Sequence, residues 1–400
     1  MKIVFFASVY PPDLGAGSFR AVALAKAIAK KISISDKLHI ITTKPYRYSS
    51  FKVNAKELET QGNITIHRIK VPSHKGGMIS HARIFIIFSW HALRICLNLK
   101  PDFLIATSSR LMTGVLTWLC ASLLKRQYYI DVRDIFSETI SDIFSRKSRL
   151  LGICIKYIFT VLERRVLQGA IGVNVVSQGF LEYFTAQGID TSEWSFFPNG
   201  IDKEFLNITA YSQDKNKNIK TILYAGNIGS GQGLEKIIPD AAKRLVTDYQ
   251  FNIIGDGGTM TLLTDELAKK KVKNVNLIPP VNRIELIEYY KSADILFLHL
   301  NDLPAFRRTL PSKIFEYASL KKPIIAGLSG YSEKFIKDNL DYVSLFKPAD
   351  VDSFVDCIRN IENMDIDIDK VDAFIDKYSR VKIMDSMASQ IIFLFFQLNN

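Results

Sequence analysis

At 400 residues the chain is longer than one hydrophobic core usually supports, so two domains are the default. Its 48% apolar and 23% charged content is that of an ordinary globular protein. The net charge of +12 is unevenly placed: residues 1–200 hold 26 Lys and Arg against 13 Asp and Glu, whereas 201–400 hold 26 against 27. The whole surplus lies in the first half, which points to a nucleic acid, an anionic membrane surface or an acidic substrate as partner.

Cys96, Cys120, Cys154 and Cys357 are widely spaced, with no C-x-x-C pair and no His/Cys ligand spacing, which speaks against a zinc site or a disulfide framework. A reducing compartment is the simplest inference. The opening Met1–Ala7 has too short an apolar stretch for a signal peptide and reads as a first strand. No uninterrupted apolar run reaches the length of a spanning helix. The nearest, Ile79–Leu99, mixes Ile84, Phe85, Ile87, Phe88 and Leu93 with Trp90 and two arginines. A core helix is the plainer reading of it and an interfacial helix the other.

In chain order, expected strands of the first half are Lys2–Val9, Leu38–Thr42, Ile64–Lys70, Phe103–Thr107, Tyr128–Val132, Gly172–Val176 and Trp194–Phe197. Between them lie stretches of helical periodicity, such as Ser18–Lys31 with Ala21, Leu24, Ala25 and Ile28 on one face. After the polar stretch Asn207–Asn218 the alternation restarts with Ile219–Tyr224, Tyr249–Ile254, Val275–Ile278, Ile295–Leu300, Pro323–Ala326 and Tyr342–Leu345. Helices are expected at Gly233–Val246, Thr259–Lys270, Arg283–Lys291 and Ser312–Leu320. Near-continuous apolar strands alternating with helices predict parallel sheets covered on both faces. The fold class is therefore α/β, with two doubly wound Rossmann-like domains facing across a cleft. The first spans 1–199 and the second 200–380, and the apolar helix expected at 381–398 packs back on the first. Such sheets bind ligands at the carboxyl ends of their strands.

Three glycine-bearing loops follow strands. Gly15 and Gly17 precede a helix, but Arg20 occupies the third glycine position of a dinucleotide fingerprint, so that reading fails. Asn227, Gly229, Gln232 and Gly233 lie in a loop with four glycines, and Gly255, Asp256 and Gly257 follow the next strand. Such backbones can approach an anion or a sugar closely, and tight turns explain them also. Asp131, Arg133, Asp134 and Glu138 place charges at a strand end, where they orient sugar hydroxyls, act as acid–base groups, or form a salt-bridged loop. The densest signal is Phe306–Tyr317, where Arg307, Arg308, Ser312 and Lys313 crowd the start of a helix that carries Glu316 one turn inside. Helix N-termini and cationic side chains suit a pyrophosphate, and Glu316 suits sugar or ribose hydroxyls.

Through Tyr10–Arg20, Val132–Glu138, Pro198–Asp202, Tyr224–Glu235, Gly255–Gly258 and Leu310–Gly327 the chain resembles retaining glycosyltransferases of family 4, which have the two-domain GT-B fold. The Arg133-Asp134 and Pro311–Tyr317 segments are similar to a subgroup that includes L-fucosamine transferases of bacterial surface-polysaccharide synthesis. This resemblance implies a nucleotide-diphosphate-sugar donor bound by the second domain, with UDP favoured, and an acceptor bound by the first. It implies a lipid-linked (polyprenyl diphosphate) glycan as acceptor in O-antigen or capsule biosynthesis, and no metal or other cofactor. Arg133, Asp134 and Glu316 are the expected catalytic residues. Donor-binding residues are expected at Gly15, Gly17, Asn227, Gly229, Gln232, Gly233, Gly255, Asp256, Gly257, Arg307, Arg308, Ser312, Lys313 and Glu316, with Arg20 and Glu138 on the acceptor side.

Two departures stand out. The family's first glutamate, seven residues before Glu316, is Arg308 here, and the usual Arg and Lys of the second domain's opening loop are Asn227 and Gln232. Arg307, Arg308 and Lys313 are expected to restore that positive charge. The basic first half predicts docking on an anionic membrane surface, at the cytoplasmic face of a bacterial inner membrane. A nucleotide-sugar epimerase of the same architecture and a non-catalytic binding subunit are the other readings. No motif supports nucleic-acid binding.

Overall fold

The computed structural model describes all residues except 14, 46–54, 73–77, 109–110, 136–148, 207–217, 362–363, 365 and 398–400. The chain divides into two compact units, Met1–Asn199 with Arg380–Asn400, and Gly200–Ser379.

The first unit is built on an eight-stranded sheet. Its strands are β1 (Lys2–Ala7), β2 (Lys37–Thr43), β3 (Leu58–Gln61), β4 (Ile64–Ile69), β5 (Phe103–Ser108), β6 (Gln127–Val132), β7 (Gly172–Val175) and β8 (Ser195–Phe196), in the order β3-β4-β2-β1-β5-β6-β7-β8. All pairs are parallel except β3 with β4. That hairpin was not foreseen, because Leu58-Glu59-Thr60-Gln61 is polar and lies at an exposed edge. The central strands are apolar throughout, as a sheet covered on both faces requires: Ile3, Val4, Phe5, Phe6, Phe103, Leu104 and Ile105 are all fully buried.

The helix Met78–Leu99 buries Ile84, Phe88, Ala92 and Cys96, one stripe at four-residue spacing that packs against the core. By length and average composition its Ala82–Leu99 portion could cross a membrane, although Arg83, His91 and Arg94 interrupt the apolar run, as expected. The His and Arg residues that interrupt it are too few to lower its average below that mark. Its core-facing stripe nonetheless makes it an integral part of this unit.

Arg20 ties the unit together. Its side chain is fully buried, and its Nε and Nη2 donate to the two carboxylate oxygens of Asp131, each at 2.8 Å. Nη1 donates to the carbonyl of Pro198 at 2.7 Å and Nη2 to that of Phe197 at 2.9 Å. Asp131 also accepts from Thr107 Oγ1 and Asn174 Nδ2. Burial opposes its charge, but the Arg20 guanidinium outweighs that and holds the carboxyl below the usual aspartate range. One ion pair thus joins the helix Ala16–Lys31, the end of β6 and the segment after β8. The helix Arg380–Gln397 closes over it, with Met387 Sδ 3.5 Å from Arg20 Nη2 and Gln390 Oε1 accepting from Ser195 Oγ at 2.7 Å.

The second unit holds β9 (Lys220–Asn227), β10 (Tyr249–Asp256), β11 (Val275–Ile278), β12 (Ile295–His299), β13 (Ile324–Gly327) and β14 (Val343–Phe346), all parallel, in the order β11-β10-β9-β12-β13-β14. The single helix expected over Gly233–Val246 is broken into a 3-10 turn at Leu234–Lys236 and a helix at Ile238–Arg244, with Pro239 in the first turn of the latter. At the end of β12 the fully buried His299 bridges two loops. Its Nε2 accepts the N–H of Ala349 at 2.9 Å, so the ring proton sits on Nδ1 and is donated to the carbonyl of Gln232 at 2.5 Å. Burial pushes its pKa down to about 4, against the pull of the Gln232 carbonyl.

Two outcomes follow. Arg20→Ala leaves Asp131 charged in the core and should cost about 3–5 kcal/mol, read as a lowered urea midpoint. For His299, the folded pKa lies below the unfolded one, so the unfolded state binds more protons once pH falls below about 6.5. Stability therefore drops as pH falls from there towards 4, by about 2 kcal/mol near pH 5. A His299→Asn variant should start less stable at neutral pH and show a smaller further drop in acid, in paired urea titrations.

Candidate active site

In the second unit the chain begins at the centre of the sheet with β9, runs outward through β10 and β11, and returns to β12 on the other side of β9. The crevice beyond the carboxyl ends of β9 and β12 is thus the topological switch point, where open α/β sheets take ligands. The glycine-rich loop after β9 lies there. Asn227 Nδ2 donates to Gln232 Oε1 at 2.7 Å, joining the two positions where the resemblance placed Arg and Lys. Asn301, two residues past β12, donates its backbone N–H to the Gly231 carbonyl at 2.8 Å and its side-chain amide to the Ser230 carbonyl at 2.5 Å. Gly233 has φ 57, and a Cβ there would come within 2.4 Å of Asn301, so both backbone conformation and space require glycine. Gly229 lies at the start of the same turn, its carbonyl accepting the Gln232 N–H. Gly255 and Asp256 end β10 beside Gly226 and Asn227, and Asp256 Oδ1 accepts the N–H of Gly257 at 2.7 Å.

The helix Ser312–Ala318 follows β12. Its Lys313 Nζ donates to Glu316 Oε2 and to the Tyr290 hydroxyl, both at 2.7 Å, and Tyr290 donates in turn to Glu316 Oε2 at 3.2 Å. The ammonium lies over the rings of Tyr290 and Tyr317, 5.4 and 5.9 Å from their centroids. Burial works against that charge, yet the Glu316 carboxylate outweighs it and raises the lysine's pKa. Arg283 extends the cluster: it pairs with Asp202, lies 3.8 Å from Glu204 and 4.8 Å above the Phe205 ring, and feels the charge of Glu316. Glu316 itself is only 7% exposed, so its charge depends on these cations and hydroxyls. Tyr290, Arg283 and Asn301 escaped sequence reading as site residues, and Asp202 was noted only within the segment Pro198–Asp202. Only Asn301, a polar residue just after an apolar strand, stood in a loop where chemistry was sought.

The remaining cations are placed differently. Arg307 is exposed and gripped by Asp302, its Nε and Nη2 donating to the two carboxylate oxygens at 2.6 and 2.7 Å. Asp302 also accepts from Ser329 Oγ at 2.7 Å, and these bonds hold its pKa down at about 2. Arg308 is half-buried at the C-terminal end of the short helix Pro304–Arg307. Ser312 begins the Lys313 helix, whose N-cap, Pro311, makes no side-chain capping bond.

In the first unit the switch point lies between β1 and β5. Gly15 and Gly17 stand past β1 at the start of the helix Ala16–Lys31, and a Cβ on Gly17 would meet Arg133 Nη1 at 2.6 Å. Arg133 donates its N–H to the Ser108 carbonyl at the end of β5, at 3.0 Å. The exposed Asp134 accepts the N–H of Ile135 at 2.9 Å. Gly15, Gly17, Arg133 and Asp134 therefore gather at one strand-end crevice. Arg20, expected on the acceptor side, must be corrected: with no exposed surface and its N–H groups turned onto Asp131 and two carbonyls, it is a structural residue. Glu138 lies outside the described residues. Among the described residues no group of three or more His, Cys, Asp or Glu could hold a metal ion.

Residues 209–380 match the family model of glycosyl transferases group 1. A protein of Escherichia coli (strain K12) named as a colanic acid biosynthesis glycosyl transferase, WcaI, is 24% identical over 356 residues, covering 83% of this chain and 84% of its own. Among solved structures, the lipopolysaccharide outer core galactosyltransferase WaaB aligns with TM-score 0.64 and 14% identity over 98% of this chain and 99% of its own. Anabaena HepE in complex with UDP-glucose aligns with TM-score 0.61 and 14% identity over 100% and 98%. The switch-point crevices and these likenesses agree: this chain has the GT-B fold, its second unit carries a glycosyl transferases group 1 domain, and it is a glycosyltransferase.

Proposed function

We propose that the protein transfers a sugar, with retention, from a UDP-linked donor of the L-fucosamine type to a lipid-linked glycan in bacterial surface-polysaccharide synthesis. The observation that carries this reading is the Lys313–Tyr290–Glu316 triangle beside the β9–β12 crevice, within the matched domain. Support for the nucleotide comes from the UDP-glucose bound by the Anabaena likeness. Support for the polysaccharide setting comes from the names of the colanic acid and lipopolysaccharide enzymes.

The chemistry asks for a place to receive negative charge as the bond between the anomeric carbon and the diphosphate breaks. Lys313 is a compact cation held by Glu316 and Tyr290, so it is ready to donate to a phosphate oxygen without reorganising. Glu316, fixed on one oxygen by Lys313 and Tyr290, is placed to accept from donor hydroxyls. Arg308 supplies a second cation where the family pattern has a carboxylate. Arg133 and Asp134 stand at the first unit's own crevice, where acceptor hydroxyls would be oriented.

Calorimetric titration with UDP and UDP-sugars tests the donor assignment. Lys313→Met and Arg308→Ala should each weaken nucleotide-diphosphate binding by more than about tenfold, the loss expected for a charge-assisted contact. Unchanged affinity in both variants rejects the site. Incubation with a nucleotide sugar and no acceptor should leave the donor unconverted; an epimerised product would replace transfer by epimerisation.

A further inference from the structure

The helical turn Pro304–Arg307 has four residues, too few to hold a helix by their own hydrogen bonds. Pro304 has no N–H to give, and the N-cap, Leu303, makes no side-chain capping bond. Yet this turn stands in the connection from β12 to the helix Ser312–Ala318, the stretch that carries Arg308 and leads to Ser312 and Lys313. Its shape must be fixed from outside, and the surrounding contacts show how.

Towards the glycine-rich loop, the backbone N–H of Asn301 bonds the Gly231 carbonyl at 2.8 Å. The Phe306 ring also lies against Gly231, so close that a Cβ there would come within 2.6 Å of it. Towards the loop after β13, Gly330 has φ 67, and a Cβ on it would come within 2.3 Å of the Arg307 carbonyl oxygen. Ser332, fully buried, donates its hydroxyl to the Thr309 carbonyl. The last tie crosses the turn itself. Arg307 Nε and Nη2 donate to the two oxygens of Asp302, five residues back, and Ser329 Oγ donates to the same carboxylate. Asp302 thus closes the turn and joins it to the loop after β13.

An exposed ion pair ordinarily adds little, the exceptions being bidentate arginine–carboxylate pairs and pairs set in a network. This pair is both. A bidentate bond also occupies an edge of the guanidinium that would otherwise grip a phosphate in the same two-point way. Arg307 is therefore committed to Asp302.

We infer that Arg307 is a positioning residue: its fork with Asp302 locks the turn and so sets where Arg308 and Ser312 stand for the donor diphosphate. The positioning role rests on the donor reading given above, whereas the lock rests on the geometry alone.

Hydrogen exchange of the full chain, without nucleotide, tests the lock. Arg307→Ala, which keeps the Cβ, and Asp302→Ala should each speed exchange of the Phe306, Arg307 and Thr309 amides, which bond the Leu303 and Phe306 carbonyls, by about tenfold. Exchange in β9 and β12 should not change. Calorimetry with UDP then tests positioning. The two single variants should lose similar affinity, about fivefold or more, and the double variant no more than the worse single, because either deletion opens the same lock. A phosphate contact by Arg307 predicts otherwise for Asp302→Ala, which would release the cation and leave UDP affinity unchanged or raised. That result, additive losses, or unchanged exchange in both variants would overturn the proposal. A wild-type chain that binds no UDP removes the donor reading and the positioning role with it; the exchange measurement, which needs no nucleotide, tells that failure from an absent lock.

Discussion

A carboxylate taken out of water keeps its charge only where cations and hydroxyl groups replace the lost solvent, and Glu316 imposes that condition on the second unit. Lys313, Tyr290 and Arg283 gather because that charge is there, and each is held in place by it. The same contacts explain why the lysine stays protonated at a partly buried site, where burial alone would favour its neutral form. The cluster is therefore preorganised, and on the function proposed above its charge need not be assembled when a donor arrives.

The two units apply one plan to different ends. In each, the sheet is laid outward in one direction and then resumed on the far side of its first strand, which opens a crevice at the strand ends. In each, a buried polar side chain fastens the loops around that crevice to the sheet. Arg20 does so in the first unit through a charge pair with Asp131, and His299 in the second as a neutral ring between two backbone groups. The difference has a consequence. Both links weaken once the unfolded chain can take up the proton, the histidine link below about pH 6.5 and the charged fork only below the ordinary aspartate range, near about pH 4.

Legibility in the sequence followed how local each feature was. The parallel sheets were readable because buried strands are runs of apolar residues, as in Phe103–Ile105 and Ile295–Leu298. The edge strand Leu58–Gln61 was not, since its pairing with β4 is set by a neighbour and not by its own polar residues. The glycine loops and the Lys313–Glu316 spacing were visible as motifs. Their partners Tyr290 and Arg283, more than twenty residues away, were invisible until β12 and its flanking helices brought them together. Arg20 misled for a related reason: an arginine one turn into a helix after a glycine loop looks like a ligand contact, and only its distance to Asp131, 111 residues on, shows that it is core.

By itself the amino-acid order determined the alternation of strands and helices, the loops that carry glycine and charge, and the sign of the first half's surface. These depend on periodicity, on backbone freedom and on counting charges, all of which are properties of short windows. Only the tertiary structure decided which charges cancel, because pairing depends on distances between residues remote in the chain. It placed Arg307 on Asp302 and Lys313 on Glu316, and sank Arg20 into the core.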